Sequence, residues 1–385
     1  MRIAISGASG YIGQHLSSFL EGKGYDVIPL GRDLFKEDCF DELCRCVESC
    51  EVVINLAGAS INKRWTEAYK QELYDSRIYV TRQLVHAINT RRVKPELFIS
   101  ASAVGYYPAF GEYDEYHDYR GMDFLARLCG AWEEEASACS SDVRLVITRL
   151  GVVLSEDGGA LKEMLRLQRL SRVSVVVGSG QQRFPWISLF DLCRSFGYII
   201  RNRQMRGVVN LVSPDLITQK QLAHTLARAD KIRWIIPLPE FFFRLKFGEG
   251  ASFVTKGQTV HPTKLLESGF TYVYPTIEKL MNITDHHTVP ELDVKRYMGR
   301  WYEIARYENH FERGMTDVTA TYTLLPDGKI RVENEGYKGG VHKKATGRAK
   351  QPDPKNNPGK LKVAFFLWFY ADYYILELDA IINMR

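Results

Sequence analysis

Over the first 150 residues, short apolar runs alternate with longer segments in which apolar residues recur every three or four positions. The runs at 2–6, 26–30, 52–56, 97–100 and 144–150 predict buried parallel strands, and the segments 11–20, 40–49, 66–89 and 124–138 predict amphipathic helices. That alternation is the pattern of an α/β doubly wound parallel sheet, which takes its ligands at the carboxyl ends of its strands. Residues 151–281 mix loops, helices and short strands, as a smaller substrate-side lobe would. Near 282–290 the pattern stops, and short alternating strands separated by Gly, Pro and Asp turns follow. Two domains are expected, residues 1–285 and residues 286–385.

The turn after the first predicted strand carries Gly7, Ser9, Gly10, Tyr11, Ile12 and Gly13. A glycine at 7 permits a tight turn, one at 10 lets the backbone approach a pyrophosphate, and one at 13 lets the helix pack close to the strand. The free N–H groups of the helix then bind phosphate. The expectation is a dinucleotide site of Rossmann type. Beyond the second strand stands Gly31-Arg32-Asp33. An arginine there suits the 2′-phosphate of NADP, whereas an acidic residue suits the ribose hydroxyl of NAD. Arg32 comes first, so NADP is expected, and Asp33 keeps NAD open as the alternative.

Composition narrows the picture. With 385 residues, 45% hydrophobic and 25% charged, the chain can build two cores. The formal charge of +5 divides into +2 over 1–285 and +3 over 286–385. No basic patch is dense enough to suggest nucleic acid, and the most basic stretch, 338–362, is interleaved with Gly, Pro and Asn. The longest apolar run, 363–378, is interrupted at Ala371-Asp372 and reads as two barrel-type strands rather than a membrane span. The N-terminus reads as a core strand without a leader, which points to the cytoplasm. Seven cysteines, all before residue 200, lack the even spacing of a disulfide framework, and Cys39, Cys44, Cys46 and Cys50 lack a CxxC pair. Reduced thiols and no metal are expected.

The first 281 residues resemble the extended short-chain dehydrogenase/reductases, in particular an atypical, epimerase-like NAD(P)-binding branch. The motifs that carry the resemblance are Gly7-Ala8-Ser9-Gly10-Tyr11-Ile12-Gly13, Val53-Ile54-Asn55-Leu56-Ala57-Gly58-Ala59, Asp75-Ser76-Arg77-Ile78 and Ser100-Ala101-Ser102-Ala103-Val104-Gly105-Tyr106-Tyr107. Further along it continues in Arg149-Leu150-Gly151, Gly178-Ser179-Gly180-Gln181 and Trp186-Ile187. It implies that the backbone of Asn55, Leu56, Ala57 and Gly58 passes under the cofactor and that Ser102 hydrogen-bonds a substrate carbonyl or hydroxyl. Catalytic members carry a Tyr-x-x-x-Lys acid/base pair on the next helix. Here those positions fall near Leu125 and Cys129. If hydride transfer occurs, Tyr106 or Tyr107 with Arg77 are the remaining candidates to move the proton.

Residues 293–307 read DVKRYMGRWYEIARY, and from Pro290 the chain resembles bacterial-type lipocalins, whose barrels enclose apolar ligands. Six strands are counted, near 300–307, 316–324, 329–337, 341–350, 360–369 and 372–379, two fewer than a closed barrel requires. An incomplete antiparallel lipocalin-type β-barrel with open edges is expected, prone to self-association and exposing Phe365, Leu367, Phe369, Tyr374 and Leu376. Three functions follow. One is an NADP-dependent oxidoreductase or epimerase-like enzyme for a small, apolar substrate; the others are a non-catalytic NADP-binding redox module and a hydrophobic-ligand carrier.

Overall fold

The computed structural model describes residues 1–117, 119–281, 289, 291–303, 314–352, 354, 358–366, 369–375 and 378. The chain divides into two compact units, Met1–Ile283 and Thr284–Arg385.

In the first unit the elements in chain order are β1 (Arg2–Ser6), α1 (Tyr11–Glu21), β2 (Asp26–Leu30), α2 (Phe40–Glu48), β3 (Val52–Asn55), α3 (Glu67–Thr90), β4 (Leu97–Ala103), α4 (Phe124–Ser137) and β5 (Arg144–Leu150). After these come α5 (Gly159–Ser171), α6 (Leu189–Arg201), β6 (Gly207–Leu211), α7 (Gln219–Ala229) and α8 (Glu240–Phe247). The six strands form one parallel sheet in the order β6-β5-β4-β3-β1-β2. The chain leaves β1 toward β2 on one side and returns to β3 on the other, so the topological switch point lies between β1 and β3. Alternation along the strands divides the core. Ile3, Ile5, Ile54 and Ile99 face α1 and α6, while Ala4, Val53 and Phe98 face α2 and α3. Cys44 and Cys50 are buried in the second of these layers, and the Cys50 thiol donates to the Cys46 carbonyl.

The predicted elements are found with shifts of a few residues. β4 runs three residues past its expected end, because pairing with β5 continues through Ala103↔Leu150. The smaller lobe holds two parallel strand pairs, Val152–Ser155 with Trp186–Ser188 and Val173–Val177 with Trp234–Leu238. Leu161 and Leu165 of α5 and Leu222 and Leu226 of α7 pack around Trp186 in its core.

The second unit is an antiparallel meander of β7 (Gly299–Tyr302), β8 (Met315–Leu324), β9 (Ile330–Lys338), β10 (Val341–Lys350), β11 (Lys360–Phe366) and β12 (Phe369–Tyr374), each paired with the next. Among the described residues β7 and β12 are its edges. Tyr297, Tyr322, Ile330, Val332 and Leu361 form the core, and the Trp301 indole donates to the Tyr297 carbonyl at 3.0 Å. The last hairpin corrects the sequence reading. Ala371 and Asp372 do not interrupt the run but pair inside β12 with Val363 and Lys362. The break falls between Phe366 and Phe369, where cross-strand register sets it rather than the least apolar dipeptide. Of the five residues expected on the open sheet, Phe365 is exposed and Tyr374 half-buried; Leu367, Leu376 and the Phe369 side chain lie outside the described residues.

Gly13 sets the approach of α1 to β1. A Cβ there would overlap the Gly7 carbonyl oxygen and stand 2.7 Å from Ala8 Cα, both of them backbone atoms that cannot rotate away. Gly13→Ala is therefore expected to destabilise the first unit by about 1–3 kcal/mol, a fall of roughly 3–10 °C in Tm. Thermal melts of the full chain check this, and an unchanged transition would mean that α1 can retreat without cost.

Candidate functional site

The carboxyl ends of β1, β2 and β3 lie side by side, with Ser6 in register with both Leu30 and Asn55. This brings three sequence motifs to one edge. Gly7 adopts φ +73°, and a Cβ on it would stand 2.8 Å from the Leu56 carbonyl, so the turn after β1 lies against the Leu56-Ala57 backbone. Gly10 differs from its neighbours. Its extended backbone suits any residue, it is exposed, and only the Gly7 carbonyl oxygen, 3.2 Å away, lies near the Cβ it lacks. The space in front of it is open, and a side chain would fill it.

Behind Gly10, α1 begins with no side-chain cap and no acidic residue in its first turn. By contrast, Thr66 caps α3 and Asp123 caps α4. An uncapped N-terminus facing an open glycine is a cradle for an anion. Ser9 is exposed and its carbonyl accepts from Gln14. The Ile12 side chain points into the core, leaving only its backbone for a ligand. The Tyr11 ring packs edge-on against His15 and closely against Gly158, with its hydroxyl buried and unpartnered.

Arg32 opens a short 3₁₀ turn immediately after β2, exposed and without an ion pair among the described residues. Asp33 is engaged by Lys36 Nζ at 2.5 Å, and the hydrogen bond and charge of Lys36 hold its carboxyl below the usual range. The free cation, rather than the carboxylate, is thus presented beside the glycine turn.

Asn55 is a latch beneath this edge. Its Oδ1 accepts from the Ser6 hydroxyl at 2.6 Å and its Nδ2 donates to Thr81 Oγ1 at 2.8 Å, tying β1, β3 and α3 together. Arg77 and Ser76 of α3 fix the loop that follows. Arg77 Nη2 donates to the Ala59 carbonyl at 2.9 Å, Ala59 N–H donates to Ser76 Oγ, and a Cβ at Gly58 would press on the guanidinium at 2.9 Å. The Arg77 guanidinium also lies 5.3 Å from the Trp132 ring, and burial lowers its pKa. The motif at 75–78 therefore holds the loop after β3 in place. Its arginine is occupied by a backbone carbonyl.

One strand further along, Ser102 is buried, and its hydroxyl donates to Glu133 Oε1 at 2.6 Å. Glu133 comes from α4 and receives a two-pronged contact from Arg149 of β5, Nε to Oε1 at 2.8 Å and Nη2 to Oε2 at 2.7 Å. The guanidinium stacks on the Tyr106 ring at 3.5 Å and lies 4.7 Å from Tyr107. Burial alone would lower the Arg149 pKa, but the hydrogen bonds and charge of Glu133 outweigh it and raise it. A hydroxyl that donates to this carboxylate cannot donate to a substrate carbonyl as well; its oxygen remains free to accept.

Tyr106 and Tyr107 are both buried, unlike a core-plus-surface pair, because the 3₁₀ turn Val104–Tyr106 brings both rings to Arg149. The Tyr107 hydroxyl lies 3.0 Å from both the Asp114 carbonyl and Asn210 Oδ1, on the β6 side of the sheet, and burial raises its pKa. Leu125 and Cys129 stand two turns and one turn before Glu133 on the same face of α4. Leu125 packs against Gly105, and burial, with the Glu133 charge, pushes the Cys129 thiol up to about 12. The structure thus brings the glycine turn, Arg32 and the Asn55–Gly58 segment to one edge of the sheet, with Ser102 on the strand next to β3. The Tyr107 hydroxyl is engaged by the Asp114 carbonyl and Asn210. Glu133 and Arg149 were given no role by sequence reasoning, although an arginine inside the apolar strand Arg144–Leu150 was a usable signal.

Residues 3–211 match the family model described as the NAD dependent epimerase/dehydratase family. The chain belongs to that family. The epimerase family protein SDR39U1 of Homo sapiens is 34% identical over 285 residues, 72% of this chain and 97% of the human protein. The Bacillus subtilis epimerase family protein YfhF is 33% identical, covering 75% of this chain and all of its own length. The crystal structure of human SDR39U1 (isoform 2) with NADPH superposes with a TM-score of 0.68 at 33% identity, over 74% of this chain and 98% of that one. Residues 238–282 match a domain of unknown function, and residues 292–383 match a lipocalin-like domain. No helix among the described residues is long and apolar enough to cross a membrane.

The buried pair generates a stability prediction. Glu133→Ala leaves Arg149 charged and unpaired in the interior and should cost about 3–5 kcal/mol. The double variant Glu133→Leu/Arg149→Met should recover most of that loss in urea unfolding. A double variant as unstable as the single one would show that shape, rather than charge pairing, holds α4 to the sheet.

Proposed function

We propose that the first unit is an NADP(H)-dependent oxidoreductase of the epimerase family, acting in the cytoplasm on a small, largely apolar substrate. The observation that carries the reading is the free Arg32 beside an open Gly10 and an uncapped α1, with Asp33 neutralised by Lys36. Gly7, Gly10 and the N–H groups of Tyr11, Ile12 and Gly13 would hold the pyrophosphate, Arg32 the 2′-phosphate, and the backbone from Asn55 to Gly58 the nicotinamide side. The human relative solved with NADPH supports the same choice of cofactor. When bound, the dinucleotide supplies hydride exchange at the carboxyl end of the sheet.

The chain's own groups then orient the substrate. Ser102 accepts a hydrogen bond from a substrate hydroxyl, with its own proton committed to Glu133. Leu125, standing where related enzymes place a tyrosine, makes that wall apolar and supports an apolar substrate. Tyr106, Tyr107 and Arg77 remain candidates for the proton step, each needing release from its present partner. A second reading, a non-catalytic NADP(H)-binding module, draws on the same engagement of Ser102. Transfer of deuterium from 4-deuterated NADPH to small molecules that co-purify with the full chain separates them: label that stays on the cofactor favours the second.

Cofactor choice has its own test. Arg32→Asp removes a charge-assisted hydrogen bond and adds repulsion, so NADPH should weaken by about 2–4 kcal/mol while NADH changes little. Gly10→Val should abolish binding of both with the melting transition preserved. Fluorescence titration reads each, and equal losses of NADPH and NADH in Arg32→Asp would remove Arg32 from the site.

A further inference from the structure

Helix α8 and the strand before it are built the wrong way round for a soluble surface. The segment joins Trp234–Leu238 to Glu240–Phe247 through Pro239 alone. Phe247 is buried and Phe243 half-buried, and the helix end is tied down by Trp65 N–H and Arg64 Nη1, which donate to the Phe247 and Leu245 carbonyls. Those contacts suffice to anchor it. Yet Trp234, Ile236, Phe241, Phe242 and Leu245 are between 44% and 70% exposed, with the Phe241 and Phe242 rings only 3.9 Å apart. Trp234 and Ile236 point to one face of their strand, where Val175, in register with Ile236, is also exposed. Single exposed apolar residues are ordinary, but five large ones within twelve residues mark a contact surface.

The charges say what the contact is with. Lys231, Arg233, Arg244 and Lys246 are all exposed among these apolar side chains, against a single carboxylate, Glu240, which Arg244 already partners at 3.7 Å. A protein interface of this apolar character is depleted of lysine at its centre. Exposed Trp, Phe and Leu set among lysines and arginines fit the boundary between acyl chains and anionic headgroups, where the rings enter and the cations pair with phosphate. We propose that residues 231–246 dock the protein peripherally on an anionic lipid bilayer. The proposal is independent of the reaction the first unit carries out.

Trp234 provides the readout: Trp65, Trp132 and Trp186 are buried and Trp301 is half-buried, and a Trp234→Phe variant separates its emission from that of the remaining tryptophans. The full chain is mixed with vesicles of phosphatidylcholine alone and with vesicles of equal parts phosphatidylcholine and phosphatidylserine. Expected are co-sedimentation and a blue shift of tryptophan emission with the anionic vesicles only, reversed by high salt. Arg244→Glu/Lys246→Glu should weaken binding by at least about tenfold, and Phe241→Ser/Phe242→Ser should remove the blue shift, both with unchanged melting transitions. Absence of binding to the anionic vesicles overturns the proposal. So does concentration-dependent self-association that the Phe241→Ser/Phe242→Ser variant abolishes while vesicle binding is absent, which would make the surface a contact between copies.

Discussion

A guanidinium buried between a carboxylate and two tyrosine rings governs how α4 packs against β4 and β5. Arg149 sits in a central strand where water cannot reach it, so its charge must be met by protein, and Glu133 meets it with both oxygens. Everything nearby adjusts to that need. The rotation of α4 is fixed by Glu133, the Val104–Tyr106 turn is drawn in so that the rings cover the cation, and Ser102 is recruited to fill the remaining acceptor capacity of the carboxylate. The same arrangement changes the chemistry available. The Ser102 proton is committed to Glu133, and the α4 face that carries this carboxylate presents Leu125 and Cys129 in the two turns before it.

The two halves of the site were unequally legible for a physical reason. The half proposed for the cofactor is made of backbone, and backbone demands are local: Gly7 must take a positive φ, and Gly13 must let α1 touch the turn it came from. Such constraints leave their trace within seven residues. The half proposed for the substrate is made of side chains that meet across 16 and 31 positions in sequence. In Glu133-Glu134-Glu135 nothing local distinguishes the inward carboxylate from its solvated neighbours, and only the packed helix picks out the first. The shift of the last hairpin has a similar origin, because a run of aromatic and apolar residues fits either face of a sheet until a partner strand sets its register.

Several motifs quoted for family resemblance turn out to support the site rather than to form it. Asn55 spends its amide on Ser6 and Thr81, and Arg77 spends its guanidinium on the Ala59 carbonyl and the face of Trp132. These contacts hold the loop after β3 at the height of the glycine turn, against which the Leu56 carbonyl already packs. Preorganisation of this kind lets a dinucleotide bind without ordering the loop first, so less binding free energy is lost to conformational entropy. Replacing Arg77 would therefore first loosen the loop after β3.

The groups proposed to choose between the two dinucleotides are exposed, and their energetics differ from those of the buried pair. Asp33 and Lys36 are solvated, so their contact adds little to stability. Its consequence is electrostatic selection. An unpaired Asp33 would repel a 2′-phosphate and welcome a ribose hydroxyl; with Lys36 beside it, that preference is blunted and the neighbouring Arg32 acts unopposed. Selectivity is a difference between two affinities, and a salt bridge too weak to hold the fold together can still tilt that difference. The sequence Gly31-Arg32-Asp33 left two cofactors open because it does not include Lys36, three positions on, which engages the carboxylate.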